Sequence, residues 1–372
     1  MEFDDNLSEA QGRSVVQHCN SLTHVRFTDQ PPSTMWDIVA VNPKIESLKL
    51  IFPFPLTNLC SRLLAPSGLS LPNLKTLVAS GSNFRHEHII AALRMCNSVV
   101  ILDLSETNIN SSTICELPKL CPHLRSLGLA GTPLCDAGLT HLSFTCPQIL
   151  HLDIEGRGDG NGVITDAGIL EIVRNMKGLQ SLNISYLEAL TDISLVHIYT
   201  HSASTLRSLY LDCYAENGEG YLYGAGALHE LFVRCNRLCV LHLDYFHNDP
   251  TFDTCIVLPE SALRNLTELI LRGNIVSEQN ITAIGKNATN LQILGIYHPS
   301  SYTHTALMSL YKGCPALKEL YIDLITPGIV DNVNARELNE FVIYLWKEQR
   351  LGLIVSSALP VDLEYCNVLN MC

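Results

Sequence analysis

The sequence predicts an α/β solenoid of about twelve strand–loop–helix units stacked as a horseshoe, with parallel strands on the concave face and helices on the convex face. Three observations carry this prediction. An apolar triplet at first, fourth and sixth positions recurs twelve times, starting at Leu22, Ile45, Leu74, Val99, Leu124, Ile149, Leu179, Leu206, Leu238, Leu266, Leu291 and Leu317. Its period is 23 to 32 residues, the size of a supersecondary unit that cannot bury its own apolar face and must stack on its neighbours. Within each unit the apolar spacing changes from alternation, as in Leu127 and Leu129, to helical spacing, as in Leu139, Leu142 and Cys146 or Leu228, Leu231 and Cys235.

Taken in chain order, the acidic residues 1–5 lead into no apolar run, so no secretory signal or spanning helix is expected. Val15, Val16 and Cys19 already read as the helix of the first unit, and one solenoid is expected over residues 1–334. A helix over 335–349, with Leu338, Phe341, Val342, Leu345 and Trp346 on one side, and a strand over 351–355 are expected to cap the last unit. Residues 356–372 leave the pattern, either folding back over the concave face or staying disordered. Cys372 is no prenyl signal, because Leu369 holds the position where that cysteine would stand.

At 372 residues and 47% hydrophobic content, the chain can bury a large core. Its formal net charge of −13 disfavours nucleic acid and anionic membranes and favours a basic partner. A monomer in the cytoplasm or nucleus is expected. Of fourteen cysteines, Cys19, Cys96, Cys121, Cys146, Cys235 and Cys314 each stand three residues before the first apolar position of a unit. Ala203, Ala288, Leu71, Leu263 and Met176 fill the same place elsewhere, so cysteine here reads as a buried, reduced apolar filler. Asn or Pro follows each of the six, which suits a helix that stops and turns. No paired Cys/His spacing recurs, so zinc is not expected.

Cysteine at the helix end and Thr-Asp before the helix resemble the cysteine-containing leucine-rich repeats of F-box/leucine-rich-repeat proteins. The matching segments are Cys121-Pro-His-Leu-Arg-Ser-Leu-Gly-Leu, Cys146-Pro-Gln-Ile-Leu-His-Leu-Asp-Ile, Leu134-Cys-Asp-Ala-Gly-Leu and Ile164-Thr-Asp-Ala-Gly-Ile, within a resemblance over about residues 14–324. It implies a curved, non-catalytic receptor that holds a substrate protein, in a family whose F-box attaches to a cullin ubiquitin ligase. The residues before the first repeat are too few for an F-box. Either the chain is a truncated or alternatively started form, or it is a free-standing repeat scaffold or inhibitor that occludes a basic protein, with no ligase link.

Side chains alternate across a strand, so the third, fifth and seventh positions of each unit map the concave face. Its front is basic, with Arg26 and Lys49; its middle is nearly bare at Ser126, Gly128 and Ala130. From the sixth unit onward it turns acidic and aromatic, with Arg272 as the exception. His151, Asp153, Glu155, Tyr210, Asp212, His242, Asp244, Glu268, Tyr297, Tyr321 and Asp323 are the candidate partner-binding residues. Carboxylates beside tyrosines suit Lys or Arg heads and stems. The longer loops hold Tyr214, Tyr221, Tyr223, Tyr245, Phe246, Phe252 and Tyr302, which are either interface anchors or packing for those loops.

Other constellations carry less. The insert at 155–162 spaces oxygen groups but lacks the closing Glu of a calcium loop, and its Arg157-Gly158-Asp159 tripeptide means little without export. The sequons at Asn183 and Asn265 fall on inferred strands. His151 and His242 share a face with Asp153 and Asp244, but no nucleophile elbow accompanies them, and no phosphate loop is present. No enzymatic activity, cofactor or metal is expected.

Overall fold

The computed structural model describes residues 2–3, 9–28, 32–52, 63–156, 163–212, 223–245, 257–273, 275–297, 303–322 and 354–356. They fall into two compact units that meet in sequence between Leu179 and Gln180. The first holds strands β1 (Glu2–Phe3), β2 (His24–Thr28), β3 (Ser47–Ile51), β4 (Thr76–Ser80), β5 (Ile101–Asp103), β6 (Ser126–Gly128) and β7 (His151–Asp153), each parallel to the next. Its helices are α1 (Glu9–His18), α2 (Met35–Ala40), α3 (His86–Arg94), α4 (Ser111–Leu120), α5 (Asp136–Thr145) and α6 (Asp166–Asn175). The second holds β8 (Ser181–Asn183), β9 (Ser208–Asp212), β10 (Val240–Tyr245), β11 (Glu268–Gly273), β12 (Ile293–Tyr297), β13 (Glu319–Ile322) and β14 (Ile354–Ser356), again parallel in order. Its helices are α7 (Asp192–His201), α8 (Ala225–Arg234), α9 (Glu260–Leu263), α10 (Glu278–Asn287) and α11 (His304–Gly313).

This is the expected α/β leucine-rich-repeat solenoid. Each of the twelve triplets opens two residues before one of the strands β2 to β13, and the fourth-position residues Leu127, Leu209, Leu241 and Leu294 lie fully buried against the helix layer. The expected cap at 335–349 and Asp323 lie outside the described residues, as do the 155–162 insert beyond Gly156, the tail after 356 and the loop residues Tyr214, Tyr221, Phe246, Phe252 and Tyr302. Of the capping strand, Ile354 to Ser356 are seen paired with β13. Asn183 is on a strand, but Asn265 is in the turn before β11, where its amide donates to the Asn236 carbonyl at 2.8 Å.

Local chemistry explains the repeat at both helix ends. Asn110, Thr165, Thr191, Ser277 and Thr303 cap helices, their side chains accepting from N–H groups of the first turn. The acidic residue after the cap reaches the following repeat: Asp136 accepts from the Thr165 N–H at 2.8 Å and hydroxyl at 2.6 Å, and Glu278 accepts from the Thr303 hydroxyl at 2.6 Å. At the far end Cys121, Cys146, Cys235 and Cys314 are the C-caps. Their carbonyls accept from the N–H of Leu124, Ile149, Leu238 and Leu317, each at 3.2 Å. That turn sets the three-residue spacing between cysteine and triplet.

The described cysteines are thiols, and five of the six repeat cysteines are buried as expected. Cys19 is only half-buried, as is Leu22 of the same repeat. Among the described residues only the two-residue strand β1 pairs with β2 on the side away from β3. Withdrawal from water pushes the thiols of Cys96, Cys121 and Cys235 up to about 12, with the neighbouring Cys121 adding to the effect at Cys96 and Cys146 at Cys121.

Candidate partner-binding face

Register turns the repeat positions into rows that run across the sheet. In the second unit one row is Asp212, Asp244, Arg272 and Tyr297, each the direct partner of the next on β9 to β12. A second row is Asn183, Tyr210, His242, Ile270, Gly295 and Tyr321. A third is Ser208, Val240, Glu268, Ile293 and Glu319. All three lie on the face opposite the leucines, because they sit at alternate positions to Leu209, Leu211, Leu241, Leu243, Leu269 and Leu271.

This face is packed more tightly than the sequence reading implied. Tyr210, Tyr297 and Tyr321 are each 5% exposed, His242 4% and Asp244 6%, so the expected tyrosine anchors do not project. The Tyr210 and His242 rings meet edge to face at 4.6 Å. His242 Nε2 donates to Glu268 Oε1 at 2.7 Å, which ties the second row to the third. Arg272 lies over the Tyr297 ring at 5.1 Å, and the Tyr321 hydroxyl donates to Glu319 at 2.5 Å. Ile270, Tyr297 and Tyr321 form an apolar cluster made possible by Gly295, where a Cβ would come within 2.6 Å of Ile270 and 2.8 Å of Tyr297. Half-buried Asp212, Glu268, Arg272 and Glu319 supply the polar surface above this floor.

Asp212 and Asp244 are the electrostatic centre. Burial raises the Asp212 carboxyl above its usual range, against the lowering pull of His242, Arg272 and the Asp244 backbone N–H. Burial and the neighbouring Asp212 charge push Asp244 up to about 7, with Arg272 opposing. Oδ1 of Asp244 is buried and accepts no hydrogen bond among the described residues. Arg272, left outside the expected site, therefore belongs to its centre. The signal was available in the sequence, since Asp212, Asp244, Arg272 and Tyr297 all stand six residues after the first apolar position of their repeats.

His151, Asp153 and Glu155 lie at the end of the first unit and form a separate set. His151 is buried opposite Ser126, and burial lowers its pKa; neither His151 Nδ1 nor the Ser126 hydroxyl has a hydrogen-bond partner among the described residues. Asp153 accepts from the Glu155 N–H at 3.1 Å, just as Asp103 accepts from Ser105 and Asn183 from Ser185, each at 3.0 Å. The short acceptor at this position thus shapes the turn leaving the strand. Of the loop aromatics, Tyr223 is buried. Among the described residues, no group of three or more His, Cys, Asp and Glu side chains could hold a metal ion, and no helix is long and apolar enough to cross a membrane.

Stacked strand–turn–helix units with cysteine C-caps make this chain a leucine-rich-repeat protein. No protein-family model matches it. A transport inhibitor response 1-like protein of rice (Oryza sativa subsp. japonica) is 24% identical over 345 residues, covering 81% of this chain and 56% of that protein. An F-box protein of Arabidopsis thaliana is 26% identical over 144 residues, covering 38% of this chain and 34% of that protein. The chain therefore spans about half the length of the first relative and a third of the second. A chain in the crystal structure of the yeast Rad7 and Elc1 complex shares the fold with a TM-score of 0.55 at 16% identity, over 92% of this chain and 77% of that one. The second relative is by name an F-box protein, in keeping with the resemblance carried by the cysteine-bearing repeats.

Proposed function

We propose that this chain is a non-catalytic protein-interaction receptor, holding a partner with a basic segment on the sheet face of its second unit, as the substrate-binding part of a cullin-type ubiquitin ligase. The observation that carries the interaction reading is the assembled row of Asp212, Asp244 and Arg272 beside half-buried Glu268 and Glu319, above a floor of buried rings. Carboxylates fixed on a rigid sheet attract cations without first having to be ordered. The ligase role rests on the similarity to F-box/leucine-rich-repeat proteins.

Affinity purification from a cell extract at low salt, with the Asp212→Lys/Glu268→Lys variant as control, tests both parts. The expected result is a protein with a Lys/Arg-rich segment, lost from the variant, together with cullin-ligase components. Recovery of that partner without ligase components keeps the receptor and removes the ligase link. Partners retained equally by the variant overturn the second-unit face as the site.

A further inference from the structure

We infer that Asp212 and Asp244 form a socket for one guanidinium group, supplied by an arginine of the bound partner, which bridges the two carboxylates and donates to the unpartnered Oδ1 of Asp244. This deepens, and rests on, the receptor reading above. Two features carry it. The first is geometry: the two aspartates are direct register partners on β9 and β10, and the cation that faces them, Arg272, also lies on the Tyr297 ring. The second is Asp244, a residue 6% exposed whose side chain has a buried oxygen that accepts no hydrogen bond among the described residues. A buried acceptor left unmade costs free energy that an incoming N–H donor recovers.

The chemistry favours guanidinium over ammonium. Two carboxylates on adjacent strands match a planar fork of five donors, and withdrawal from water disfavours the strongly hydrated lysine head more than the weakly hydrated arginine head.

Binding would also exchange charge for protons. Asp244 titrates near 7, faced by Asp212 from β9 and Arg272 from β11, with His242 on its own strand and Glu268 beyond it. A guanidinium needs the ionised carboxylate, so occupancy of the socket displaces a proton from Asp244 and strengthens as pH rises through 7.

The test uses the full chain carrying carboxyl-13C aspartate, titrated by NMR with Nα-acetylarginine methylamide, the lysine analogue and the neutral citrulline analogue. The expected result is a saturable shift of the Asp212 and Asp244 signals with the arginine compound at pH 8, weaker by about tenfold at pH 6, as one ionisation near 7 requires. The lysine analogue should bind several-fold more weakly and the citrulline analogue should give no shift. Asp244→Asn and Asp212→Asn should each abolish the saturable change. No saturable shift at pH 8, equal binding of lysine or citrulline, or unchanged binding in both variants would overturn the socket. Because the probe is a single residue, the result stands apart from whether any protein partner is recovered.

Discussion

Asp244 stands directly opposite Asp212 on the neighbouring parallel strand, the first buried and the second half-buried, with the Arg272 guanidinium beside them on the next strand. A like-charged pair in such surroundings holds its protons longer than the same groups in an unfolded chain.

That retention makes stability fall as pH rises. Below about pH 4 Asp244 is protonated in both states and contributes nothing. Between 3.8 and about 7 the unfolded chain releases the proton while the folded chain keeps it, so folding becomes progressively less favourable. Asp244→Asn should therefore stabilise the protein more at pH 8 than at pH 5, by up to about 3 kcal/mol if the whole shift is expressed. Urea denaturation at the two pH values measures this, and an equal gain at both would show that the carboxyl is not held in its neutral form.

Thiol reactivity should follow burial. Cys115 is exposed, Cys19, Cys135 and Cys239 are half-buried, and Cys96, Cys121, Cys146 and Cys235 are buried with raised pKa values. Alkylation of the native protein at pH 8, mapped by mass spectrometry, should label Cys115 first among the described cysteines and the buried four only on unfolding. Rapid labelling of Cys121 or Cys146 would contradict their place as helix C-caps inside the stack.

The turn leaving each strand has its own requirement. Gly81, Glu106, Gly131, Tyr186 and Gly273 all stand seven residues after the first apolar position of their repeats and all have left-handed backbone, with φ between 56° and 119°. At Gly131 a Cβ would also lie 2.2 Å from the Glu106 carboxylate. Gly131→Ala should cost about 1 to 2 kcal/mol from the backbone alone, and the double variant with Glu106→Gly should recover part of it. Thermal melts of the single and double variants decide whether the close approach adds to the backbone strain.

The fold was legible because its signals are periodic. Apolar triplets, cysteine C-caps and Thr-Asp caps recur at fixed offsets, and the strands, helix ends and interrepeat clasp at Asp136 and Thr165 follow those offsets. The polarity of the candidate face was legible too, but its burial was not. Tyr210 and Tyr297 carry no mark that separates a projecting anchor from a ring laid flat against its neighbour; that depends on what the next strand places beside them, here His242 and Arg272. Asp153 reads like a binding carboxylate, yet the N–H two residues onward engages it. Cys19 matches the other fillers in sequence and differs only in being half-buried, with the two-residue strand β1 beside the strand that follows it.

Tyr210 separates the two readings of the face most directly. Its ring lies edge to face against His242, and 5% of the residue is exposed, so Tyr210→Ala should open a cavity in the sheet face and destabilise the protein by about 2 to 4 kcal/mol. Leu241→Asp, on the opposite face of the adjacent strand, should cost several kcal/mol by burying an unpaired carboxylate in the core. Asp212→Lys, at the half-buried end of the row, should instead alter the salt dependence of partner association more than the denaturation midpoint, since a rim charge acts chiefly on encounter. If Tyr210→Ala leaves the midpoint unchanged while hastening partner dissociation, the tyrosine is a contact rather than floor. The carboxylates would then flank an aromatic anchor instead of standing on a rigid platform that aims them at an arriving cation.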